Sequence, residues 1–413
     1  MNWGKFIYTL FVVCSCCLLL LSAPSKIVTL ALAAMSMVLF LEPVTLLPLL
    51  FVTSISSSIV VIPGIAGYFY YTFLFVVGCF VRYKFKPSVN FRILWILVYV
   101  IWLLVSAQLS VSQNTAPATR MAFAIVPIML VPNFSFSETK VRRYMLLGAI
   151  AISITIALKL LIDPVLYSPG AYNPYYTDDV AVQLTFAEQV NPNTAAQCLL
   201  LSFIVIYIYA INHSKWNLLI VSLIPLIPIV MIGSRTVYIA VICVAIISFI
   251  VWAKTKSYQK IVIVLLLAIF GGLILEGASS INERLMLESI TDDQGSGRFY
   301  TWDALFNNVI PIYFISGIGF GRSNLDAIGY YVDADNMYVD ALCQLGVVGV
   351  VVLLVMLIAL GGDILKKHTT VSRMALAMLL FVFIVGFGET VFDTFIFVYI
   401  LLFLLISKQS QYQ

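Results

Sequence analysis

Long apolar runs, separated by short polar breaks, fill most of the chain. A helix needs about 20 apolar residues to cross a bilayer, with a range of ~17–25. Fourteen runs approach this length, near 6–22, 27–41, 44–62, 66–81, 91–109, 119–131, 144–162, 193–211, 217–232, 236–253, 261–275, 337–360, 374–387 and 390–406. The pattern predicts a single all-α transmembrane domain over residues 1–413, with about 14 helices and a range of 12–14.

Two of these runs allow a second interpretation. Run 6–22 follows Lys5 and ends before Ser22-Ala23-Pro24, as a signal peptide would. We interpret it as the first transmembrane helix, because further spans follow directly. Run 119–131 contains Pro127 and is expected to be broken or re-entrant.

The composition excludes the main soluble classes. Hydrophobic residues make up 62% of the chain, charged residues only 10%, and the mean hydropathy is +1.05. Soluble domains are about 25% charged. The seven cysteines lie in or beside apolar runs, and the two histidines are far apart, so neither a disulfide framework nor a metal site is predicted. No cofactor and no nucleic-acid partner are expected.

Basic residues give the predicted orientation. With the N-terminus in the cytoplasm and alternating spans, sixteen of the 23 lysines and arginines fall inside, while sixteen of the 19 acidic residues fall outside. An even number of spans then puts both termini in the cytoplasm. Two outer connections are long, 163–192 and 276–335. The second contains a helical stripe that predicts an amphipathic helix at the outer membrane interface, formed by Trp302, Leu305, Phe306, Val309 and Tyr313.

Three of the five arginines on this acidic outer face are candidate site residues. Arg235 follows Ser234, a plausible N-cap, and an arginine beside a helix N-terminus is suited to anions. Arg298 opens the amphipathic helix, and Arg322 follows Gly317-Ile318-Gly319-Phe320-Gly321, where glycines would let the backbone approach a ligand. The alternatives are snorkelling or lipid-bound arginines and, for Arg322, an ion pair with Asp326.

Other polar residues lie at the predicted outer ends of spans. Asp335, Asn336 and Tyr338 precede a long apolar run, where they suit acceptor binding or general-base work, or simply cap the helix. Pro192 is expected at the first helical position of another span, with Asn193 next to it and Glu188 nearby. A purely structural role, in starting the helix, would be sufficient to explain this second set of residues.

The order of these motifs resembles the O-antigen ligase/polymerase superfamily of bacterial membrane glycosyltransferases. The resemblance covers roughly residues 188–361, from Asn191-Pro192-Asn193 through Gly233-Ser234-Arg235 and Gly297-Arg298 to Asp335-Asn336 and Gly346-Val347-Val348-Gly349. It implies a GT-C-like fold in the bacterial inner membrane and a periplasmic active site. It also implies undecaprenyl-diphosphate-linked oligosaccharides as donor and acceptor, and a chain-length regulator protein as a possible partner.

The resemblance also implies roles for single residues. In ligases the position of Asp335 is typically a histidine, so the aspartate favours the polymerase branch. Asp335 is then expected as general base, with Glu188 as the second candidate. Arg235, Arg298 and Arg322 are expected to bind the diphosphate, with Arg235 and Arg298 also catalytic, and Glu188, Asn193, Asn336 and Tyr338 to bind substrate. Alternatives are a lipid-linked oligosaccharide flippase, a ligase, and a polymerase of capsule or exopolysaccharide.

Overall fold

The computed structural model is almost entirely helical. It describes residues 10–11, 14, 37–55, 60–62, 65–87, 91–162, 192–232, 234–252, 298–321, 323–330 and 334–411. The α-helices of these ranges are α1 Leu47–Thr53, α2 Gly67–Arg82, α3 Phe91–Gln108, α4 Ala116–Ile128, α5 Glu138–Ile162, α6 Pro192–His213, α7 Trp216–Val221, α8 Leu226–Ile232, α9 Arg235–Trp252, α10 Arg298–Asn308, α11 Ser323–Ala327, α12 Met337–Leu365, α13 Thr370–Val385 and α14 Phe395–Gln409. The mostly helical character of the prediction is confirmed.

Short elements complete the described chain. Three 3-10 helices cover Met37–Leu41, Pro43–Leu46 and Val131–Asn133. The strands are β1 Val60–Ile62, β2 Ile65–Ala66, β3 Phe136–Ser137 and β4 Ser410–Gln411. β1 pairs antiparallel with β2, and β3 pairs parallel with β4.

Four helices of the described ranges are long and apolar enough to cross a membrane. Their spans are Phe91–Gln108, Glu138–Leu158, Asn193–His213 and Met337–Gly362. Six further apolar helices are shorter. Run 261–275 and most of runs 6–22 and 27–41 lie outside the described residues. The predicted span 217–232 is divided into α7 and α8 by the turn before Leu226, and α4 contains Pro127 near its end.

Helix α6 forms the centre of the bundle. It packs against α5, α7, α8, α9 and α13, and 89% of its spanning window is buried. Helix α12 packs mainly against α3 and also contacts α13 and α14. Burial begins at Ala195, whereas Asn193 at the N-terminus of α6 is half-buried.

Polar contacts separate into two sets at the two ends of these helices. At one end, which we name the Arg298 end, the N-termini of α6, α9, α10 and α12 meet the segment 386–394 between α13 and α14. At the opposite end the contacts are Lys140–Glu42, Arg142–His213 and Thr370–Glu138. This grouping agrees with the alternation of spans used to predict the topology.

A break inside α12 explains the glycine-rich segment. Gly346 has φ 65° and ψ −178°, which interrupts the helix. Carbonyl oxygens that lose their helical partners there accept other hydrogen bonds, because buried backbone groups are costly when unpaired. The bonds are Ile318 N to Cys343 O at 2.8 Å, Gly319 N to Gln344 O at 3.1 Å and Trp102 Nε1 to Leu345 O at 2.9 Å.

The glycines are therefore needed for contacts within the protein. A Cβ on Gly317 would lie 2.4 Å from the Gln344 carbonyl, and one on Gly319 would lie 2.3 Å from the Ser110 Cβ. We expected this segment to let its backbone approach a ligand. In the structure its backbone instead approaches the broken part of α12 and the loop after α3.

The predicted amphipathic stripe faces the protein. Leu305 and Val309 are buried in a small core with Ile318, Leu325 and Cys343, and Trp302 and Tyr313 pack against the same core. Phe306 differs from the prediction, because it is 47% exposed. The helix thus anchors Arg298, its first residue, to the bundle. Its location at a membrane interface stays a prediction.

Candidate functional site

Arg298 lies between two carboxyl groups at the Arg298 end. Its Nε atom is 3.4 Å from Oδ2 of Asp335, and its terminal nitrogen is 3.6 Å from Oε1 of Glu389. The Arg298 side chain is 25% exposed, the Asp335 side chain 44% and the Glu389 side chain 9%. The arginine thus joins one carboxylate open to solvent and one carboxyl enclosed by protein.

Asp335 is held in an unusual backbone conformation. Its φ is 47°, in the left-handed region that aspartate tolerates better than most residues. Trp302 Nε1 donates to the carbonyl of Ala334 at 2.6 Å, which ties this bend to α10. Arg298 and Asp335 are both site residues predicted from the sequence, and the structure brings them together.

Asn336 is the N-cap of α12. Its Oδ1 accepts from the backbone N–H groups of Tyr338 and Val339 at 2.9 and 3.1 Å. Its Nδ2 donates to the carbonyl of Phe387 at 3.0 Å, and the Tyr338 hydroxyl donates to the carbonyl of Phe383 at 2.9 Å. The capping alternative is thus confirmed for Asn336, and a substrate contact by either side chain would compete with these bonds.

Glu389 belongs to this cluster but is not among the site residues predicted from the sequence. The Asn193 side chain at the start of α6 hydrogen-bonds to it, so this predicted substrate-binding residue belongs to the same cluster. Burial, and then the charge of Asp335, raise the pKa of Glu389 to about 8, although Arg298 and Asn193 act in the opposite direction. The sequence did contain a signal for Glu389: it is an acidic residue in the short break between the apolar runs 374–387 and 390–406, on the same predicted face as the candidate arginines.

The segment that carries Glu389 is fixed to α12. The Met337 N–H donates to the carbonyl of Gly386 at 2.7 Å, and the Thr390 hydroxyl donates to the buried carboxyl group of Asp340. These bonds join the two sides of Glu389 to the first turn of α12. The position of its carboxyl group therefore depends on α12 as much as on its own segment.

The same segment contacts the N-terminus of α9. The Ser234 carbonyl accepts from Tyr238 N at 3.0 Å, so Ser234 occupies the N-cap position and Arg235 is the first helical residue. Thr236, the next residue, lies against Gly388. Arg235 therefore begins α9 beside the segment with Glu389. Glu188 and Arg322, the remaining predicted site residues, lie outside the described residues.

We expect Gly388→Ala to impair activity by displacing Glu389. An added Cβ would lie 2.3 Å from Oγ1 and 2.9 Å from Cγ2 of Thr236. Thr236→Ala removes both atoms, so the double variant should recover activity that the single Gly388→Ala variant loses. Product formation by purified, correctly inserted protein measures the effect. Equal losses in the single and double variants would contradict this contact.

In the described ranges, no group of three histidine, cysteine, aspartate or glutamate side chains is placed to hold a metal ion. The described groups that meet at the Arg298 end are the guanidinium of Arg298, the carboxyl groups of Asp335, Glu389 and Asp340, and the N-terminal ends of four helices.

Comparison with known proteins identifies the type of domain. Residues 220–354 match the family model described as O-Antigen ligase. This segment is an O-antigen ligase-like domain. The resemblance to the ligase/polymerase superfamily is thereby confirmed, and membrane glycosyl transfer of the ligase/polymerase type is supported. No curated protein matches the chain. The O-antigen ligase-like domain contains Arg235, Arg298 and Asp335, while Asn193 and Glu389 flank it on either side.

Proposed function

We propose that the protein polymerises oligosaccharide repeat units carried on undecaprenyl diphosphate, at the periplasmic face of the inner membrane. One observation carries the proposal: four helix N-termini converge on residues 386–389, and one of them carries the half-buried Arg298. Asn193 of α6, Thr236 of α9, Arg298 of α10 and Met337 of α12 all contact residues 386–389. Helix N-termini and arginine both favour anions, and a diphosphate is the anion that such a donor carries.

The proposed reaction is one glycosyl transfer. The acceptor hydroxyl attacks the anomeric carbon of the donor, the bond from that carbon to the diphosphate oxygen breaks, and the diphosphate leaves with the electron pair. Arg298, with Arg235 and Arg322, stabilises the charge that develops on the leaving group. Asp335 accepts the hydroxyl proton. Attack from the face opposite the leaving group inverts the anomeric carbon.

The position of the histidines favours a polymerase over a ligase. The sequence contains only His213 and His368. His213 contacts Arg142 and Thr370 at the opposite end of the bundle, and His368 lies between α12 and α13 at that same end. A histidine base of the ligase type is therefore absent among the described residues of the Arg298 end, where Asp335 occupies the corresponding sequence position.

Reconstitution with a synthetic undecaprenyl-diphosphate repeat unit tests this function. We expect a ladder of products that differ by whole repeat units, formed equally in the presence of EDTA. Transfer of a single unit to lipid A-core would indicate a ligase, and movement of the lipid across the membrane without new bonds would indicate a flippase. Loss of the ladder in EDTA and its return with a divalent cation would contradict the metal-independent reaction.

A further inference from the structure

Two carboxyl groups compete with any anion for Arg298. If both were ionised, their charges would exceed the single positive charge of the guanidinium. A diphosphate that approached Arg298 would then meet a net negative cluster, and like charges at such short distances repel strongly in a partly buried site. Binding of an anion therefore requires one carboxyl group to become or to remain neutral.

The surroundings of the two carboxyl groups differ. Asp335 is 44% exposed and keeps contact with solvent, while the Glu389 side chain is 9% exposed. The described groups around Glu389 are Asn193 from α6, Thr236 from α9, Arg298 from α10, Asp335 and Asp340 at the start of α12, and Thr390 and Asp393 on its own segment. Among these groups the cation is Arg298, and its terminal nitrogen contacts the Glu389 carboxyl group. An anion that attracts Arg298 thus weakens the main interaction that stabilises ionised Glu389.

We propose that Glu389 is neutral whenever a lipid diphosphate is bound to Arg298, and that it takes up a proton on binding wherever it was ionised in the free protein. The inference rests on the proposed function for the identity of the ligand. It makes Glu389 a positioning residue, which acts through Arg298, and leaves Asp335 as the base. Two carboxyl groups in one site commonly divide their roles in this way when their surroundings differ.

The proposal fixes the direction of a pH effect. The pKa of Glu389 in the free protein is raised to about 8 by burial. Below this pH the residue already carries its proton, and binding takes up little. Above it, binding must add a proton, so the apparent Kd should rise by up to about tenfold per pH unit, as linkage requires.

Calorimetry with undecaprenyl diphosphate, in two buffers of different ionisation enthalpy, measures this uptake. At a pH half a unit above the pKa, about three quarters of the Glu389 carboxyl groups are ionised, so we expect the wild-type protein to take up roughly 0.75 protons with the lipid. Glu389→Gln keeps the shape of a neutral carboxyl group. It should bind the lipid with no proton uptake from this residue and with an affinity that no longer falls at alkaline pH.

A second variant guards against misfolding of the first. Asn193→Ala removes the hydrogen bond that favours ionised Glu389, so the alkaline fall in affinity should begin at a higher pH.

Asp335→Asn should lose product formation, whereas Glu389→Gln should retain a measurable ladder. Proton uptake that is absent in the wild type, or unchanged in Glu389→Gln, would overturn the proposal. Loss of the ladder in Glu389→Gln as complete as in Asp335→Asn would also overturn it, because Glu389 would then act as the base.

These experiments test the proton uptake by Glu389 and the polymerisation reaction separately, so one proposal can fail while the other stands. Glu389-dependent proton uptake without a ladder supports the inference and contradicts the proposed reaction. A ladder without proton uptake supports the reaction and overturns the inference.

Discussion

Replacing Arg298 with alanine should abolish long glycan chains. Removing one preorganised donor from a developing oxyanion typically lowers turnover by about 10²–10³-fold. Here the loss should be at least that large, because the variant also leaves Asp335 and buried Glu389 without the cation that they share. Initial rate and product length, measured on the reconstituted system, report the effect.

Matched variants separate this role from general charge effects. Arg298→Lys keeps the positive charge but cannot make a bidentate contact, so an intermediate rate is expected. The control is Arg120, which is exposed on α4; the first turn of this helix contacts Gly321 near the Arg298 end. Arg120→Ala should leave the rate unchanged. Normal chain length in Arg298→Ala, or equal losses in Arg298→Ala and Arg120→Ala, would contradict the assigned role.

Replacing Gly346 with alanine should prevent α12 from adopting its observed path. The combination of φ 65° and ψ −178° is essentially restricted to glycine, and forcing another residue into it costs about 1–3 kcal/mol. A Cβ would also lie 2.2 Å from the carbonyl oxygen of Ile315. We therefore expect a loss of stability larger than the backbone term alone, together with loss of activity.

Gly362 provides the control on the same helix. A Cβ there meets no heavy atom within 4 Å, so Gly362→Ala should be neutral or slightly stabilising. Thermal unfolding of the purified proteins in one detergent compares the two variants directly. Similar melting temperatures for Gly346→Ala and the wild type would show that the break in α12 is not required.

The bounds of several helices follow from hydropathy alone. Runs 91–109, 193–211 and 236–253 correspond within two residues to α3, α6 and α9. In these segments an uninterrupted apolar stretch ends at polar or helix-capping residues, and both signals are local in the sequence. Arg298 and Asp335 were also accessible, because each stands at the predicted end of a helix on an acidic face.

The internal break of α12 and the role of Glu389 were not accessible from the sequence. Gly346 lies within an apolar run, so the break leaves no trace in hydropathy, and its partners Ile315 and Gly317 belong to a separate element. The close packing of the glycine-rich segment against α12 was not accessible for the same reason. Glu389 acquires its environment from Asn193 and Arg298, which lie far from it in sequence.

The central claim is that the donor diphosphate binds at the Arg298 end. An undecaprenyl-diphosphate analogue with a photoreactive group beside the diphosphate tests it directly, with cross-linked peptides identified by mass spectrometry. The account predicts cross-links to peptides that contain Arg298, Asp335 or Glu389, and their suppression by unlabelled lipid and by Arg298→Ala. Suppressible cross-links confined to the opposite end, around Arg142 and His213, would contradict it.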